Sequence, residues 1–254
     1  MIYTLTLNPA LDYDIYMDSF QEGDLNLSKE VNIRAGGKGI NVSKLLANLG
    51  IKSKALGYTA GFTGDFIKKN LYDEGIESDF VELDGITRIN VKINNNYKET
   101  EIAGLSPKIT EEAEEKLIEK ISKLQKDDIL ILSGSIPGSI ERNIYKKLAE
   151  MLPEGTKIVL DTRGNLLKEN LNGNFFFFFN IAELEEMFET RLSTTADIIK
   201  KCAYFLERNV KNVIVSMGGK GALLVNKEGA YLAEAPKGEL INSVGAGGSM
   251  VAGC

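Results

Sequence analysis

A glycine-rich loop near the end of the chain has the composition of an anion-binding site. The segment reads NSVGAGGSMVAGC, and Gly245 to Gly248 precede residues whose pattern predicts the start of a helix. Glycines let a ligand approach the backbone closely, and the free amides at a helix start point at negative charge. Because the loop contains no acid, lysine or histidine, it is predicted to bind phosphate without supplying a catalytic side chain.

A second glycine loop, AGGKGINVS at residues 35–43, adds functional groups to the same kind of backbone. Lys38 offers an ammonium, and the Asn41 amide can donate and accept hydrogen bonds. The loop suits a polyhydroxylated, phosphorylated small molecule. It is not a Walker loop, because no Ser or Thr directly follows the lysine. Glycines before a helix are also common turn residues, so a ligand site and a plain turn both remain possible.

Three shorter motifs each allow a functional and a structural interpretation. In NPALD, at residues 8–12, Asp12 is expected to point toward the ligand, where a carboxylate can hold sugar hydroxyls; Asn8–Pro9 can equally be a turn. The segment SMGGKGALL, at residues 216–224, predicts a strand, a glycine loop and a strand, which also describes a plain hairpin. NIAELEE places Asn180 and Glu183 one helical turn apart, facing a hydrated magnesium ion or forming a capping box.

Composition excludes several classes of protein. The 254 residues include no histidine, which rules out Ser–His–Asp and Cys–His catalysis and histidine-bound zinc. Any general base must therefore be a carboxylate, or less often a lysine or tyrosine. A net charge of −6 argues against a nucleic-acid partner. Two widely separated cysteines, with no signal peptide or membrane anchor indicated, predict a cytoplasmic protein.

The elements that must position these residues alternate between strand and helix. DDILILSGS, TKIVLDT and KNVIVSMGG are nearly continuous apolar strands, and amphipathic runs such as EEAEEKLIEKISKL predict helices between the strands. This alternation predicts a parallel sheet covered on both faces, with ligands at the carboxyl ends of its strands. The polar residues expected there are Asn8, Ser133, Asp161 and Ser216.

Two segments with alternating polar and apolar residues interrupt this pattern. Residues 11–34 and 87–103 each read as a β-hairpin, and the second carries NNN between its arms. We expect a small β-sheet set apart from the main layer, which would cover the site and exclude water. The alternative is an antiparallel extension of the main sheet with no role in closure.

Together and in this order, these motifs resemble those of the ribokinase-like family of sugar kinases, the PfkB carbohydrate kinases. NPALDY, AGGKGINVS, GFTGDF and SGSIPGS look most like the branch that phosphorylates fructose 1-phosphate, with tagatose-6-phosphate kinases next. The resemblance implies one α/β domain: a ribokinase-like three-layer sandwich with a mainly parallel sheet and a small β-sheet lid. It further implies that Mg-ATP phosphorylates the sugar 6-hydroxyl, and that two lids can pair into a homodimer.

The resemblance also assigns roles to particular residues. Sugar hydroxyls would be held by Asp12, Gly37 and Asn41, and the sugar's own phosphate by Lys38, Arg88 and the Ser133–Ser135 loop. Mg²⁺ and its waters would be ordered by Asn180 and Glu183. The nucleotide would contact Asn180, Ser216, Gly218 and Gly221, and the anion hole would consist of Gly245, Ala246 and Gly247.

This chain departs from the family pattern in three places. The family's GAGD loop ends in the aspartate that takes the proton from the acceptor hydroxyl, and here that position is Gly248. Five phenylalanines, Phe175 to Phe179, are expected to overfill both faces of a buried strand. The helices that follow the GAG loop in the family are expected to be missing.

Two other functions compete with the kinase. A binding module, holding sugar phosphate or nucleotide without turnover, is favoured by Gly248 and disfavoured by the lid and the magnesium motif. A dinucleotide-dependent oxidoreductase is disfavoured, because no GxGxxG follows the first strand.

Overall fold

The predicted alternation of strands and helices is present along the chain. The computed structural model describes residues 1–95, 98–162, 165–170, 175–238 and 246–253. The strands are β1 (Ile2–Thr6), β2 (Ala10–Tyr16), β3 (Glu30–Gly36), β4 (Ser53–Ala60), β5 (Glu77–Leu83), β6 (Ile89–Asn94), β7 (Glu99–Ile102), β8 (Ile129–Ser133), β9 (Lys157–Asp161), β10 (Phe175–Asn180), β11 (Asn212–Ser216), β12 (Ala222–Asn226) and β13 (Gly229–Ala233). The helices are α1 (Lys38–Asn48), α2 (Gly61–Asp73), α3 (Glu111–Ser122), α4 (Ile144–Glu150), α5 (Asn165–Glu169), α6 (Ile181–Phe188), α7 (Thr195–Leu206) and α8 (Ala246–Gly253).

Nine of these strands form one main sheet in the order β13-β12-β11-β10-β9-β8-β1-β4-β5. In this spatial order, each strand from β11 across to β5 is parallel to its neighbours. Beyond β11, β12 and β13 extend the sheet with antiparallel pairing at one edge. The predicted parallel sheet is therefore confirmed. Strands β5 and β13 were not recognised in the sequence, and both lie at sheet edges.

The polar residues predicted for the carboxyl edge lie there. Ser133 ends β8 and pairs in register with Asp161, the last residue of β9. Ser216 ends β11 and pairs with Asn180, the last residue of β10. Asn8 follows β1, which pairs with β8. Parallel pairing thus brings residues far apart in sequence to a single edge.

Helices cover both faces of the main sheet because their apolar stripes match those of the strands. Leu117 and Ile121 of α3, Leu148 of α4 and Phe205 of α7 pack on one face with Leu130 and Leu132. On the opposite face α1, α2 and α8 supply further apolar residues: Val42, Leu46, Ile67, Leu71 and Val251. The result is a three-layer arrangement. Among the described helices, none is long and apolar enough to cross a membrane.

Three phenylalanines of the run, Phe177 to Phe179, are buried in the layers on the two faces of β10. Phe177 and Phe179 are fully buried on one face, where their ring centroids lie 5.6 and 5.0 Å from that of Phe205 on α7. Phe178 points to the other face and packs with Val42 of α1. Successive strand residues alternate between faces, so each layer receives only part of the run and the helices shape the space around it.

The two alternating segments form a separate four-stranded sheet in the order β3-β2-β6-β7. We call it the lid sheet. Strands β2 and β3 pair antiparallel, as do β6 and β7, which confirms both predicted hairpins. The central pair, β2 and β6, is parallel and joins the two hairpins across the chain. The competing interpretation, an extension of the main sheet, is therefore wrong.

Candidate active site

A cavity of about 330 Å³ lies between the lid sheet and the carboxyl edge of the main sheet. Three cationic side chains and two carboxylates contribute to its wall, which suits an anionic, polyhydroxylated ligand. The lining residues are Thr6, Asn8, Asp12, Gly37, Lys38, Asn41, Arg88, Asn90, Lys92, Glu101, Gly134, Ser135, Thr162 and Leu166.

Asp12 lies on the face of the lid sheet that meets the cavity, since it is one of the lining residues. Its strand, β2, is flanked by β3 and β6. In register, Asp12 is opposite Arg34 on one side and Asn90 on the other. Its Oδ1 accepts a hydrogen bond from Asn90 Nδ2 at 3.1 Å, and its Oδ2 accepts one from Lys92 Nζ at 3.2 Å. The carboxylate is thus almost buried, yet it still faces the cavity.

Arg88 connects the lid sheet to the main sheet. It directly precedes β6, and it donates from Nη2 to the Asn8 carbonyl oxygen at 3.0 Å and from Nε to the Pro9 carbonyl oxygen at 3.3 Å. Burial lowers the pKa of its guanidinium from the usual value, but an arginine starts far above neutral pH and stays charged. Since a guanidinium has five N–H donors, these two bonds orient it and leave donors for an anion.

Lys38 is the first residue of α1 and reaches across to the middle of the sheet edge. Its Nζ donates to Asp161 Oδ1 at 2.6 Å and lies 3.8 Å from Glu183 Oε1. Both carboxyl side chains are almost buried, whereas 30% of the lysine side chain is exposed. One ammonium therefore bridges two acids and still contributes to the cavity wall.

The loop after β8 combines one exposed hydroxyl with one buried hydroxyl. Ser135 lines the cavity and its Oγ accepts a hydrogen bond from Asn8 Nδ2 at 3.0 Å. Ser133 is fully buried, and its hydroxyl donates to Asp161 Oδ2 at 3.4 Å. Tyr145 and Thr162 both donate to the Gly134 carbonyl oxygen, which holds the loop in position.

Two glycines of the 35–43 loop allow helix α1 to approach β1. A Cβ atom added at Gly39 would lie 2.5 Å from Thr6 Oγ1 and 3.0 Å from the Leu5 carbonyl oxygen. Gly37 has a φ of +129° and lines the cavity. In the same turn the Ile40 amide donates to Thr6 Oγ1 at 3.1 Å. The glycines thus let two backbones meet, and this contact directs the start of α1 toward the cavity.

Asn180 and Glu183 form a capping box at the start of α6. Asn180 Oδ1 accepts from the Glu183 amide and Glu183 Oε2 accepts from the Asn180 amide, both at 2.9 Å. The structural interpretation of this motif is therefore realised. Glu183 Oε1 lies near Lys38, and Asp161 contacts the same ammonium.

The carboxylates beside Lys38 suit a magnesium ion that keeps most of its water ligands and contacts the protein directly at few positions. Within the described parts of the chain, no three Cys, Asp or Glu side chains cluster as metal ligands. Asp161 and Glu183, however, are two nearly buried oxygen donors beside one cation. Mg²⁺ prefers oxygen ligands and keeps several waters, so these two carboxylates suit a hydrated ion. We name them as the residues that would hold it.

The residues assigned to the nucleotide lie farther along the same edge. Ser216 donates from Oγ to the Phe179 carbonyl oxygen at 3.2 Å. Gly218 begins a short 3-10 turn with a φ of +58°, and the β11–β12 connection is a hairpin. A Cβ atom at Gly221 would lie 1.9 Å from the Ala233 carbonyl oxygen. Gly221 therefore has a structural reason to be glycine, whatever it binds.

The glycine loop at the end of the chain leads into α8, which packs against α1. Gly245 lies outside the described residues, whereas Ala246 and Gly247 form the first turn of the helix. A Cβ atom at Gly248 would lie 3.8 Å from Cβ of Asn41 and from Cγ2 of Val42. Position 248 therefore lies beside a residue that lines the cavity, and a Cβ atom there would make only ordinary van der Waals contacts.

Sequence reasoning missed several residues of the cavity wall, chiefly Asn90, Lys92 and Glu101. Asn90 and Lys92 follow Arg88 at intervals of two along one strand, so alternation alone would have placed them on the same face. The pairing of Glu101 with Lys92 across β6 and β7 then extends that face. The alternation was visible in the sequence, but the face that meets the cavity was not.

Comparison with known proteins agrees with this architecture. The family described as pfkB family carbohydrate kinase matches residues 5–254. A 1-phosphofructokinase of Bacillus subtilis is 45% identical over 100% of this chain and 84% of its own length. A D-tagatose-1-phosphate kinase of Bacillus licheniformis is 35% identical over 99% of the chain and 84% of its own length. The structure of Escherichia coli phosphofructokinase-2 in complex with fructose-6-phosphate is 26% identical, with a TM-score of 0.91 over 99% of this chain and 84% of that protein.

Proposed function

This chain belongs to the pfkB family of carbohydrate kinases, and on that premise we propose that it phosphorylates fructose 1-phosphate at the 6-hydroxyl. The donor is ATP with Mg²⁺, and the product is fructose 1,6-bisphosphate. The observation that carries the proposal is the cavity itself, whose wall combines two cationic side chains, Lys38 and Arg88, with the Asp12 carboxylate. Cations suit the sugar's phosphate, and a carboxylate suits its hydroxyls.

The sugar is held from both sides of the cavity. Asp12, Gly37 and Asn41 contact the sugar hydroxyls, and all three line the cavity. Lys38 and Arg88, together with the Ser133–Ser135 loop, hold the phosphate already on the sugar. Within that loop Ser135 reaches the ligand, whereas the buried Ser133 acts on Asp161.

The nucleotide binds along the edge that continues from this cavity. Ser216, Gly218 and Gly221 line it, and the amides at the start of α8 receive the transferring phosphoryl group. Glu183 and Asp161 would hold a hydrated Mg²⁺, and Asn180 would orient Glu183 through the capping box. When bound to ATP, the ion would neutralise phosphate charge. The hairpin and the helix start supply rigid backbone donors, and the capping box fixes the orientation of Glu183.

The chemical step lacks one group that the family provides. The 6-hydroxyl oxygen attacks the γ-phosphorus, the bond to the β–γ bridging oxygen breaks, and the hydroxyl proton must leave. By the family resemblance, Gly248 stands where the GAGD motif has the aspartate that takes this proton. A positioned base contributes about 10²- to 10⁴-fold, so this chain is expected to bind both substrates and to turn over slowly.

A second candidate sugar deserves a direct comparison, because one relative is named for tagatose 1-phosphate. We expect fructose 1-phosphate to give the highest kcat/KM when it is assayed beside tagatose 1-phosphate, tagatose 6-phosphate and fructose 6-phosphate. The assay couples ADP release to NADH oxidation, and the product is identified by mass. If neither this chain nor its Gly248→Asp variant forms fructose 1,6-bisphosphate above background, the proposal is wrong.

The competing binding module has its own test. Calorimetry on the unmodified chain would detect tight binding of ATP and of fructose 1-phosphate. Binding of both with no product over hours, in the Gly248→Asp variant as well, would favour a module without turnover.

We further propose that the protein is cytoplasmic, in keeping with a free, buried Cys202.

The outer face of the lid sheet supports a homodimer. Ile33 is 43% exposed, Val31 is 39% exposed and Ile102 is 55% exposed. The strand register places Ile33 beside Tyr13 and Val91 beside Ile102 on this face. Neighbouring exposed apolar side chains mark an interaction surface, and a second copy offers a matching apolar face.

We expect Ile33→Glu to shift this protein from dimer to monomer, because a charge cannot be desolvated in an apolar interface without a partner. Sedimentation velocity measures the change. Met151→Glu is the matched control, since Met151 is 48% exposed and directly follows α4, a helix that packs on the main sheet. A parent chain that is monomeric at all concentrations would refute the dimer.

A further inference from the structure

Gly36, the last residue of β3, has no side chain because the Asp12 carboxyl group occupies that space. A Cβ atom added at Gly36 would lie 2.5 Å from Asp12 Cγ, 2.6 Å from Oδ2 and 2.7 Å from Oδ1. Gly36 is not among the glycines with positive φ, so its backbone would accept alanine. Space alone, and not backbone conformation, therefore requires glycine at this position.

Donors from the two neighbouring strands close the other sides of this space. Asn90 and Lys92 donate to the two oxygens of Asp12, and Arg34 Nη2 lies 3.5 Å from Oδ2. We call Arg34, Gly36, Asn90 and Lys92 the Asp12 cluster. A carboxylate has about four acceptor positions, and these contacts use three, so one remains for a ligand hydroxyl.

Lys92 is the main cation for Asp12, since Arg34 is engaged elsewhere. Arg34 Nε donates to Asp14 Oδ2 at 2.7 Å, a stronger contact than the one it makes with Asp12. The Lys92 side chain is only 12% exposed and its Nζ lies 3.2 Å from Asp12 Oδ2. Removing Lys92 would therefore leave Asp12 with Asn90 and a more distant guanidinium.

We propose that Gly36 and Lys92 are positioning residues, which hold the Asp12 carboxylate where it accepts the sugar hydroxyl. The inference rests on the proposed function for the identity of the sugar, and on the structure alone for the contact between Gly36 and Asp12. The Asp12 cluster lies wholly within the lid sheet, so the lid carries a preassembled hydroxyl acceptor over the cavity. Neither residue needs to touch the substrate for this role.

The first arm of the test needs no ligand. Gly36→Ala is expected to lower the melting temperature by about 4 °C or more, because the carboxylate must move by roughly 1 Å in a packed site. In an Asp12→Ala background the same change should cost less than about 1 °C, since the displaced group is gone. Gly138→Ala is the control: it has no atom within 4 Å of the added Cβ and no positive φ. An equal loss of melting temperature in both backgrounds would show that the cost of Gly36→Ala does not come from a clash with the Asp12 carboxyl group.

The second arm measures binding of fructose 1-phosphate by calorimetry. Gly36→Ala and Lys92→Met should each weaken it about 10-fold or more, because a misplaced acceptor loses a charge-assisted hydrogen bond. Lys92→Arg, which keeps a cation beside Asp12, should bind fructose 1-phosphate within about 3-fold of the parent chain, and ATP affinity should stay within about 2-fold in every variant. Equal losses for sugar and nucleotide would overturn the positioning role. A parent chain that binds no fructose 1-phosphate would instead overturn the proposed function, while the melting experiments would still decide whether Gly36 accommodates Asp12.

Discussion

Replacing Gly248 with aspartate should raise kcat by about 10²-fold or more. The added Cβ would lie at ordinary contact distance, 3.8 Å, from Asn41 and Val42, so the side chain can enter without displacing either. Asn41 lines the cavity, so we expect the new carboxylate to reach the acceptor hydroxyl from this position. An acid in the first turn of α8 also interacts favourably with the helix dipole.

Ground-state binding of the nucleotide should not improve with this change. An aspartate beside the incoming γ-phosphate is a like charge, whereas backbone amides at the helix start contact phosphate with either residue. We therefore expect kcat to rise without a lower KM for ATP, as measured by initial rates at saturating sugar phosphate. A general base acts only in the chemical step, so it should change kcat and leave the KM for ATP unchanged. Measuring both constants therefore separates a role in catalysis from a role in binding.

The matched control for this prediction is Gly248→Asn, which has the same shape and cannot accept the proton. Its kcat should remain close to that of the glycine form. If asparagine raises kcat as much as aspartate, the gain comes from a better-formed helix. If the aspartate form binds ATP much more tightly than the glycine form, residue 248 acts mainly in binding, and its assignment as the base is wrong.

Lys38→Met should have the second-largest effect, with separate consequences for stability and binding. The ammonium contacts Asp161 at 2.6 Å and lies 3.8 Å from Glu183, both nearly buried. Without it, Asp161 loses its nearest cation. Removing one partner of a fully buried pair costs about 3–5 kcal/mol. Because 30% of the lysine is exposed, we expect a smaller loss of unfolding free energy, about 1–3 kcal/mol.

The KM for fructose 1-phosphate should rise about 10- to 100-fold in the same variant, because a charge-assisted bond to the sugar's phosphate is lost. Adding Asp161→Asn should recover most of the stability, since the unpaired charge is removed. It should not recover KM. Chemical denaturation and steady-state kinetics on the two variants give both values. Recovery of KM together with stability would mean that Lys38 only holds the fold.

These predictions separate binding from chemistry within one site. Lys38 and the Asp12 cluster act on the bound sugar, whereas position 248 acts on the proton that leaves during transfer. Because the three lie on different elements, α1, the lid sheet and α8, changes at one are expected to combine nearly additively with changes at another when they share no partner.

The order of elements and the general location of the site could be predicted from the sequence. Apolar strand runs separated by helical patterns require a covered parallel sheet, because such strands have no polar face to expose to water. Asn8, Ser133, Asp161 and Ser216 were predicted at its carboxyl edge for the same reason and lie there. The two hairpins also followed from local alternation, which depends only on neighbouring residues.

Only the tertiary structure decided how these pieces meet. Pairing of β2 with β6 joins residues about 80 positions apart, and it alone brings Asn90 and Lys92 to Asp12. The role of Gly36 likewise depends on where a side chain from another strand lies. Alternation tells which residues share a face of a strand, but the strand's neighbours and the surface it covers depend on packing of the whole chain. Local sequence therefore predicted the components of the site, and long-range packing determined their contacts.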